Sequence, residues 1–189
     1  MKVIVISPPR PLPNELSWVK KLFHAGLEIF HVRKPDFSLR ELEQYIQKIP
    51  VRFHPKIMLH SHHELIEKYD LRGIHYPEKA IEHGISNNIF TKSTSFHSLS
   101  QLKEGSDIFE YIFLSPIFNS ISKKGYNAAF EIHELKKELK LSTHQVIALG
   151  GINKDKMAQI MELGFGGVAL LGGIWESDSP VKAFEELKR

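Results

Sequence analysis

The chain has 189 residues, 42% of them hydrophobic and 25% charged, with a formal net charge of +3 and no cysteine. That composition is ordinary for a soluble globular protein with one core, and it excludes disulfides, thiol catalysis and thiolate metal sites. No apolar run approaches the about 18 residues that read as a membrane span, and the basic residues are scattered rather than clustered with aromatics, which argues against a nucleic-acid partner.

The N-terminal MKVIVISPPRPLP is too short and proline-rich for a signal peptide and reads as a first strand, Val3–Ser7; a cytoplasmic location fits. Further strands are expected at Glu28–Val32, Lys56–His60, Gly73–Tyr76, Ile89–Ser93, Tyr111–Ser115, Gln145–Leu149 and Gly167–Leu171. They are short, unalternating and rich in β-branched and aromatic residues, as strands buried on both faces of a parallel sheet are. Helices are expected between them. Leu16–Ala25 follows Asn14 as a cap, and Ser38 caps Leu39–Lys48 with Glu41 completing a capping box. Glu64–Tyr69, Lys79–His83 and Ser98–Lys103 are brief, and Ile132–Lys140 is clear. Lys154–Leu163 ends at a Gly164 C-cap, and Ser179 with Pro180 opens a last helix through Leu187. Eight strand–helix units without repeat or linker predict one domain over 1–189, a single (β/α)8 TIM barrel. The alternative is an open doubly wound sheet, but SPPRP stands where its glycine fingerprint belongs.

In such barrels the chemistry sits at the C-terminal strand ends. The last two strands, VIALGGI and GGVALLGGI, run into the glycine pairs Gly150–Gly151 and Gly172–Gly173. Glycine lets backbone N–H groups approach an anion with no Cβ in the way, so these turns are the expected phosphate-binding residues. The other strand ends carry polar groups: His31, Arg33 and Lys34, then His60, Ser61, His62 and His63, then His75 and Glu78, then Ser95 and His97. The sixth strand leads into a loop with Ser115, Asn119, Ser120, Ser122, Lys123 and Lys124. Four consecutive strands thus bring a histidine towards one mouth, and imidazole is the usual acid/base near neutral pH. No metal is expected, because no histidine pair has helical i, i+4 spacing and few carboxylates lie nearby.

Over nearly its whole length the chain resembles the thiamin phosphate synthase/TenI superfamily. The resemblance rests on G-x-x-x-x-H-x-R (Gly26 to Arg33), GIHY (Gly73–Tyr76), S-P-I-F (Ser115–Phe118) with Lys123 downstream, ALGGI (Ala148–Ile152) and GVALLGGI (Gly167–Ile174). The synthases couple hydroxymethylpyrimidine diphosphate to a thiazole phosphate, with Mg2+ held by two aspartates; Ser61 and Ala80 stand at the matching positions. The glutamine and final lysine of the family's Q-x-R-x-K are also altered, to His31 and Pro35. Lys123-Lys124-Gly125 and His31 resemble the TenI branch, whose implied activity is a metal-free aromatising tautomerisation of a thiazole carboxylate phosphate. That branch's catalytic histidine falls at Pro116, which leaves His97, His75 or His31 as the catalytic candidates.

The resemblance therefore implies a thiamin-biosynthesis barrel that binds a small phosphorylated thiazole or thiamin phosphate and needs no cofactor, with thiazole tautomerase activity as the leading expectation. Arg33, Lys34, His60, Ser95, Ser115, Lys123 and Lys124 are the expected substrate-binding residues. The alternatives are a divergent thiamin phosphate synthase, which would use Mg2+, and a non-catalytic thiamin-phosphate-binding or regulatory protein. A homo-oligomer is compatible with each.

Overall fold

The computed structural model describes residues 1–78, 89–104, 107–119 and 130–188. Eight parallel strands close into a barrel in sequence order, β1 pairing with both β2 and β8. They are β1 (Lys2–Ile6), β2 (Ile29–Val32), β3 (Ile57–Leu59), β4 (Gly73–Tyr76), β5 (Thr91–Phe96), β6 (Tyr111–Leu114), β7 (Gln145–Leu149) and β8 (Gly167–Leu170). The helices are α1 (Glu15–His24), α2 (Leu39–Gln47), α3 (Leu65–Tyr69), α4 (Leu99–Glu104), α5 (Ile132–Leu141), α6 (Met157–Leu163), α7 (Gly172–Trp175) and α8 (Pro180–Lys188). The expected helix over Lys79–His83 lies outside the described residues. Among the described residues no helix is long and apolar enough to cross a membrane.

Local chemistry accounts for several boundaries. The Ser38 side chain accepts from the Glu41 N–H while the Glu41 carboxylate accepts from the Ser38 N–H, so the capping box starts α2. Gly164 takes φ 94° and ends α6 in the left-handed region that favours glycine. Asn14 does not cap α1 as expected. It sits at φ 59° with no side-chain cap bond, and the first buried residue of the helix is Glu15. The stretch expected as one helix from Lys154 begins instead with a 3-10 turn, Lys154–Lys156. A second such turn, Val51–Lys56, leads into β3. The fifth strand is shifted from Ile89–Ser93 to Thr91–Phe96, and Ile89 is almost fully exposed. The strand's inward side is Ser93 and Ser95, so it lacks the apolar run from which buried strands are recognised.

Alternation along the strands divides the core in two. One face packs Val5, Phe30, Val32, Leu59, Ile112, Val168 and their neighbours against the helices. The other fills the barrel with Ile4, Ile6, Ile29, Met58, Tyr111, Phe113, Ile147 and Ala169. The loop after β2 is tied to the start of α1 by a buried ion pair. The Lys34 ammonium donates to the Glu15 carboxylate at 2.8 Å and to the Pro8 carbonyl at 2.7 Å, and the Tyr45 hydroxyl donates to Glu15 at 2.6 Å. Both charged side chains are within 4% of full burial. Burial lowers the pKa of Lys34, and the hydrogen bond and charge of Glu15 oppose that shift.

Removing one charge of such a pair strands the other in a low dielectric. Glu15→Gln should therefore destabilise the protein by about 3 kcal/mol or more, measured by urea unfolding, whereas Glu15→Gln with Lys34→Met should recover much of the loss.

Candidate functional site

At the C-terminal ends of the strands lies a cavity of about 380 Å³, within the size range of small-molecule sites. Its lining includes Arg33, His60, Ser61, His75, Glu78, Ser95 and His97, with Ile6, Phe113 and Leu149 as apolar walls. Six of the expected residues, Arg33, Lys34, His60, His75, Ser95 and His97, line it together.

The four histidines do not stand in one ring at the rim. His31 on β2 is fully buried inside the barrel, and its register partners are Ile6 and Met58. Its Nε2 lies 2.6 Å from the Tyr111 hydroxyl on β6, across the barrel, and its Nδ1 lies 3.0 Å from His60 Nε2. His75 is 5% exposed and has both ring nitrogens engaged, Nδ1 with Ser93 Oγ at 2.9 Å and Nε2 with Ser95 Oγ at 3.0 Å. The His60 and His75 rings stack with centroids 4.2 Å apart. Imidazoles from β2, from just beyond the end of β3 and from β4 thus form one cluster, of which His60 and His75 line the cavity and His31 is buried beside them. Tyr111 and Ser93, which hold two of them, are absent from the sequence-based reading. A count of two along β5 and β6 would have placed both inside the barrel with Ser95 and Phe113.

Burial in the barrel holds these rings neutral. It pushes His75 down to about 3, with Arg33 and His63 adding to the shift. His31 and His60 also lie well below the ordinary imidazole value, again chiefly through burial and then through the other rings of the cluster. Tyr111 is moved upward by burial and stays a phenol.

His97 differs. It is exposed beyond the end of β5, its Nδ1 lies 3.0 Å from the Ser115 carbonyl oxygen, and its backbone N–H donates to the Gln101 side chain. A carbonyl only accepts, so Nδ1 carries the proton and the neutral ring keeps its lone pair on Nε2. Ser115 itself is buried, with Oγ 3.3 Å from the same ring nitrogen. Arg33 is exposed at the rim, whereas the neighbouring Lys34 ammonium is turned to Glu15 rather than left mobile for a substrate. Lys123 and Lys124 lie outside the described residues, as do Ser120, Ser122 and Ala80.

The glycine turns after β7 and β8 are built as much by packing as by any ligand. Gly151 has φ 65°, and a Cβ there would stand 2.5 Å from the Asn119 carbonyl. At Gly150, φ 98°, a Cβ would meet Pro116 at 3.1 Å. Gly173 lies against the Ile152 carbonyl, 2.9 Å from where its Cβ would be. Gly172 and Gly173 open α7, which is fastened to the barrel by the Trp175 indole N–H donating to the Ile6 carbonyl at 2.7 Å. Gly151→Val does not fit this turn. That variant would be strained and would displace the loop after β6.

The comparisons with known proteins agree with the barrel fold. Residues 3–174 match the family described as Thiamine monophosphate synthase. The chain belongs to that family. It is 24% identical to the thiamine-phosphate synthase of Proteus mirabilis over 174 residues, 87% of this chain and 80% of that one. It is 23% identical to that of Vibrio parahaemolyticus over 192 residues, 97% and 94% of the two chains. Among solved structures, it is similar to a thiamine phosphate pyrophosphorylase from Bacteroides thetaiotaomicron, with 30% identity, TM-score 0.83 and coverage of 100% of this chain and 96% of that one. One from Pyrococcus furiosus, at 20% identity and TM-score 0.81, covers 99% and 93% and shares the fold. Membership places this chain in thiamin biosynthesis with small phosphorylated substrates.

The Mg2+ that the family's coupling reaction uses does not fit the donors here. Magnesium takes carboxylate and phosphate oxygens, but the lining is imidazole, hydroxyl and guanidinium, with Glu78 its one carboxylate among the described residues. Glu78 is itself hydrogen-bonded by the Gln101 side chain.

Keeping His75 neutral makes the fold acid-sensitive. With the folded ring at about 3 and the unfolded ring at the ordinary 6.5, the unfolded chain binds more protons throughout that interval. Stability is therefore full above about pH 6.5 and is lost as pH falls towards 3. Between pH 7 and pH 5 the unfolding free energy should drop by about 2 kcal/mol for this ring alone, with further losses from His31 and His60. Urea unfolding at the two pH values measures the difference, and a stability that is flat across this range would show that the cluster is not held neutral.

Proposed function

We propose that this barrel binds a phosphorylated thiazole carboxylate and moves a proton on it, acting as a thiazole tautomerase that needs no Mg2+. The observation that carries the reading is the orientation of His97. Its Nδ1–H is committed to the Ser115 carbonyl, which leaves Nε2 as an accepting base at the mouth of the cavity. His31 and His75, the other catalytic candidates, have both ring nitrogens engaged and lie almost fully buried, so the acid/base role falls to His97. In this reading the glycine turns Gly150–Gly151 and Gly172–Gly173 meet the phosphate with main-chain N–H groups. Arg33 meets the carboxylate with a planar fork of donors, and Lys123 and Lys124 lie outside the described residues. His60 and Ser95 complete the polar floor against the thiazole ring.

The relatives named as thiamine-phosphate synthases support the alternative, a thiamin phosphate synthase. Two observations weigh against it. Ser61 stands in place of a magnesium carboxylate, and the Lys34 ammonium is buried on Glu15 rather than available to a departing diphosphate.

Turnover of each substrate set with and without Mg2+ separates the two. The expected result is tautomerisation unaffected by Mg2+ and coupling far below the ordinary kcat range of about 1 to 1,000 per second. His97→Gln should lower the tautomerisation kcat by roughly 100- to 10,000-fold while leaving binding of thiazole phosphate nearly unchanged. A Mg2+-dependent coupling rate in the ordinary range would hand the function to the synthase reading. Binding without either turnover would make the chain a non-catalytic thiazole or thiamin phosphate binder.

A further inference from the structure

The interior of a (β/α)8 barrel is ordinarily filled with branched apolar side chains. Here three consecutive strands place imidazoles there instead. His31, His60 and His75 each offer one ring nitrogen, and these atoms all lie within 4.8 Å of one another. We propose that this cluster is a three-histidine site for a borderline divalent cation of the zinc type, at the floor of the cavity and unrelated to the magnesium carboxylates of the family.

The donor set argues for that class of metal. Neutral imidazole suits zinc and its neighbours, whereas magnesium prefers oxygen. Burial already keeps the rings unprotonated, so a metal would not have to displace a proton from a charged imidazole. Tetrahedral ligands about 2.0–2.1 Å from zinc stand roughly 3.3 Å from each other. The facing nitrogens of His31 and His60 are 3.0 Å apart and need little adjustment. His75 must shift, giving up its stacking on His60 and the contact of its Nε2 with Ser95 Oγ at 3.0 Å.

The outer shell is in place as well. A ligating histidine usually gives its other N–H to an oxygen, which fixes its tautomer and orientation. With His31 bound through Nδ1, its Nε2–H is directed at the Tyr111 hydroxyl, 2.6 Å away. With His75 bound through Nε2, its Nδ1–H is directed at Ser93 Oγ, 2.9 Å away. Three protein ligands with the fourth position towards a cavity is the arrangement of a reactive rather than a purely structural zinc. His60 and His75 both line the cavity, so the open position would face whatever occupies it. The proposal does not depend on the tautomerase reading, because His97 is not among the ligands.

The test uses the full chain, stripped with a chelator and dialysed against Zn2+ or Co2+. One equivalent should be retained per chain in the presence of excess Mg2+, and the Co2+ form should show the intense visible absorption of a low-coordinate nitrogen site. Tyr111→Phe, a conservative change at an outer-shell partner, should weaken metal binding by roughly 10- to 100-fold. His60→Gln and His75→Gln should weaken it further, while His97→Gln should leave it unchanged. Failure of the wild type to retain either metal would overturn the proposal. So would retention that is the same in Tyr111→Phe and His60→Gln, since the metal would then sit on exposed rings such as His24 or His133.

Discussion

Burial of the His31 ring is the constraint on which the mouth of this barrel depends. β2 and β6 stand opposite each other in an eight-strand closure, and the 2.6 Å contact between His31 and the Tyr111 hydroxyl crosses the interior between them. Nothing in the surrounding apolar layer of Ile6, Ile29, Met58 and Phe113 can replace that hydrogen bond. An unpaired imidazole there would carry the full penalty of desolvation. Once His31 is fixed, His60 is positioned by the shared nitrogen contact, and His75 stacks on His60. The polar strand β5 then supplies Ser93 and Ser95 to satisfy His75. The cavity floor is therefore one cooperative polar network inside an otherwise apolar barrel.

Adjacent residues in this network are assigned to different work by the direction of their side chains. Arg33 and Lys34 follow each other at the end of β2, yet one faces solvent at the rim and the other is fully enclosed with Glu15. Lys34 serves the fold by fastening the start of α1 to the loop after β2, and Arg33 keeps an exposed guanidinium in the cavity lining. The same division separates His97 from the three floor histidines. His97 is exposed, and its Nδ1 is committed to the Ser115 carbonyl.

Membership in the thiamine monophosphate synthase family gives the chain a barrel scaffold and a place in thiamin biosynthesis, and the donors at the cavity differ from those of magnesium coupling chemistry. Function on a shared barrel is decided by the groups at the strand ends. In this chain those groups are nitrogen donors, with carboxylates nearly absent from the lining among the described residues.

The strand count, the barrel and the helices that carry their own signals are legible in the amino-acid sequence. The Ser38–Glu41 capping box and the Gly164 stop are local chemistry and could be read directly. Its errors fell where local signals are silent. Asn14 has a capping side chain but takes a left-handed backbone instead, and β5 was misplaced because its inward residues are serines. The tertiary structure alone decided which histidines meet. His31, His60 and His75 are 29 and 15 residues apart in the chain, so no local spacing links them. Only closure of the barrel and the register of β2, β3 and β4 bring their nitrogens together, just as only packing turns Lys34 inwards and leaves Arg33 outside. Side-chain alternation is written in the sequence, but which residues share the inside is set by pairing across strands distant in the chain.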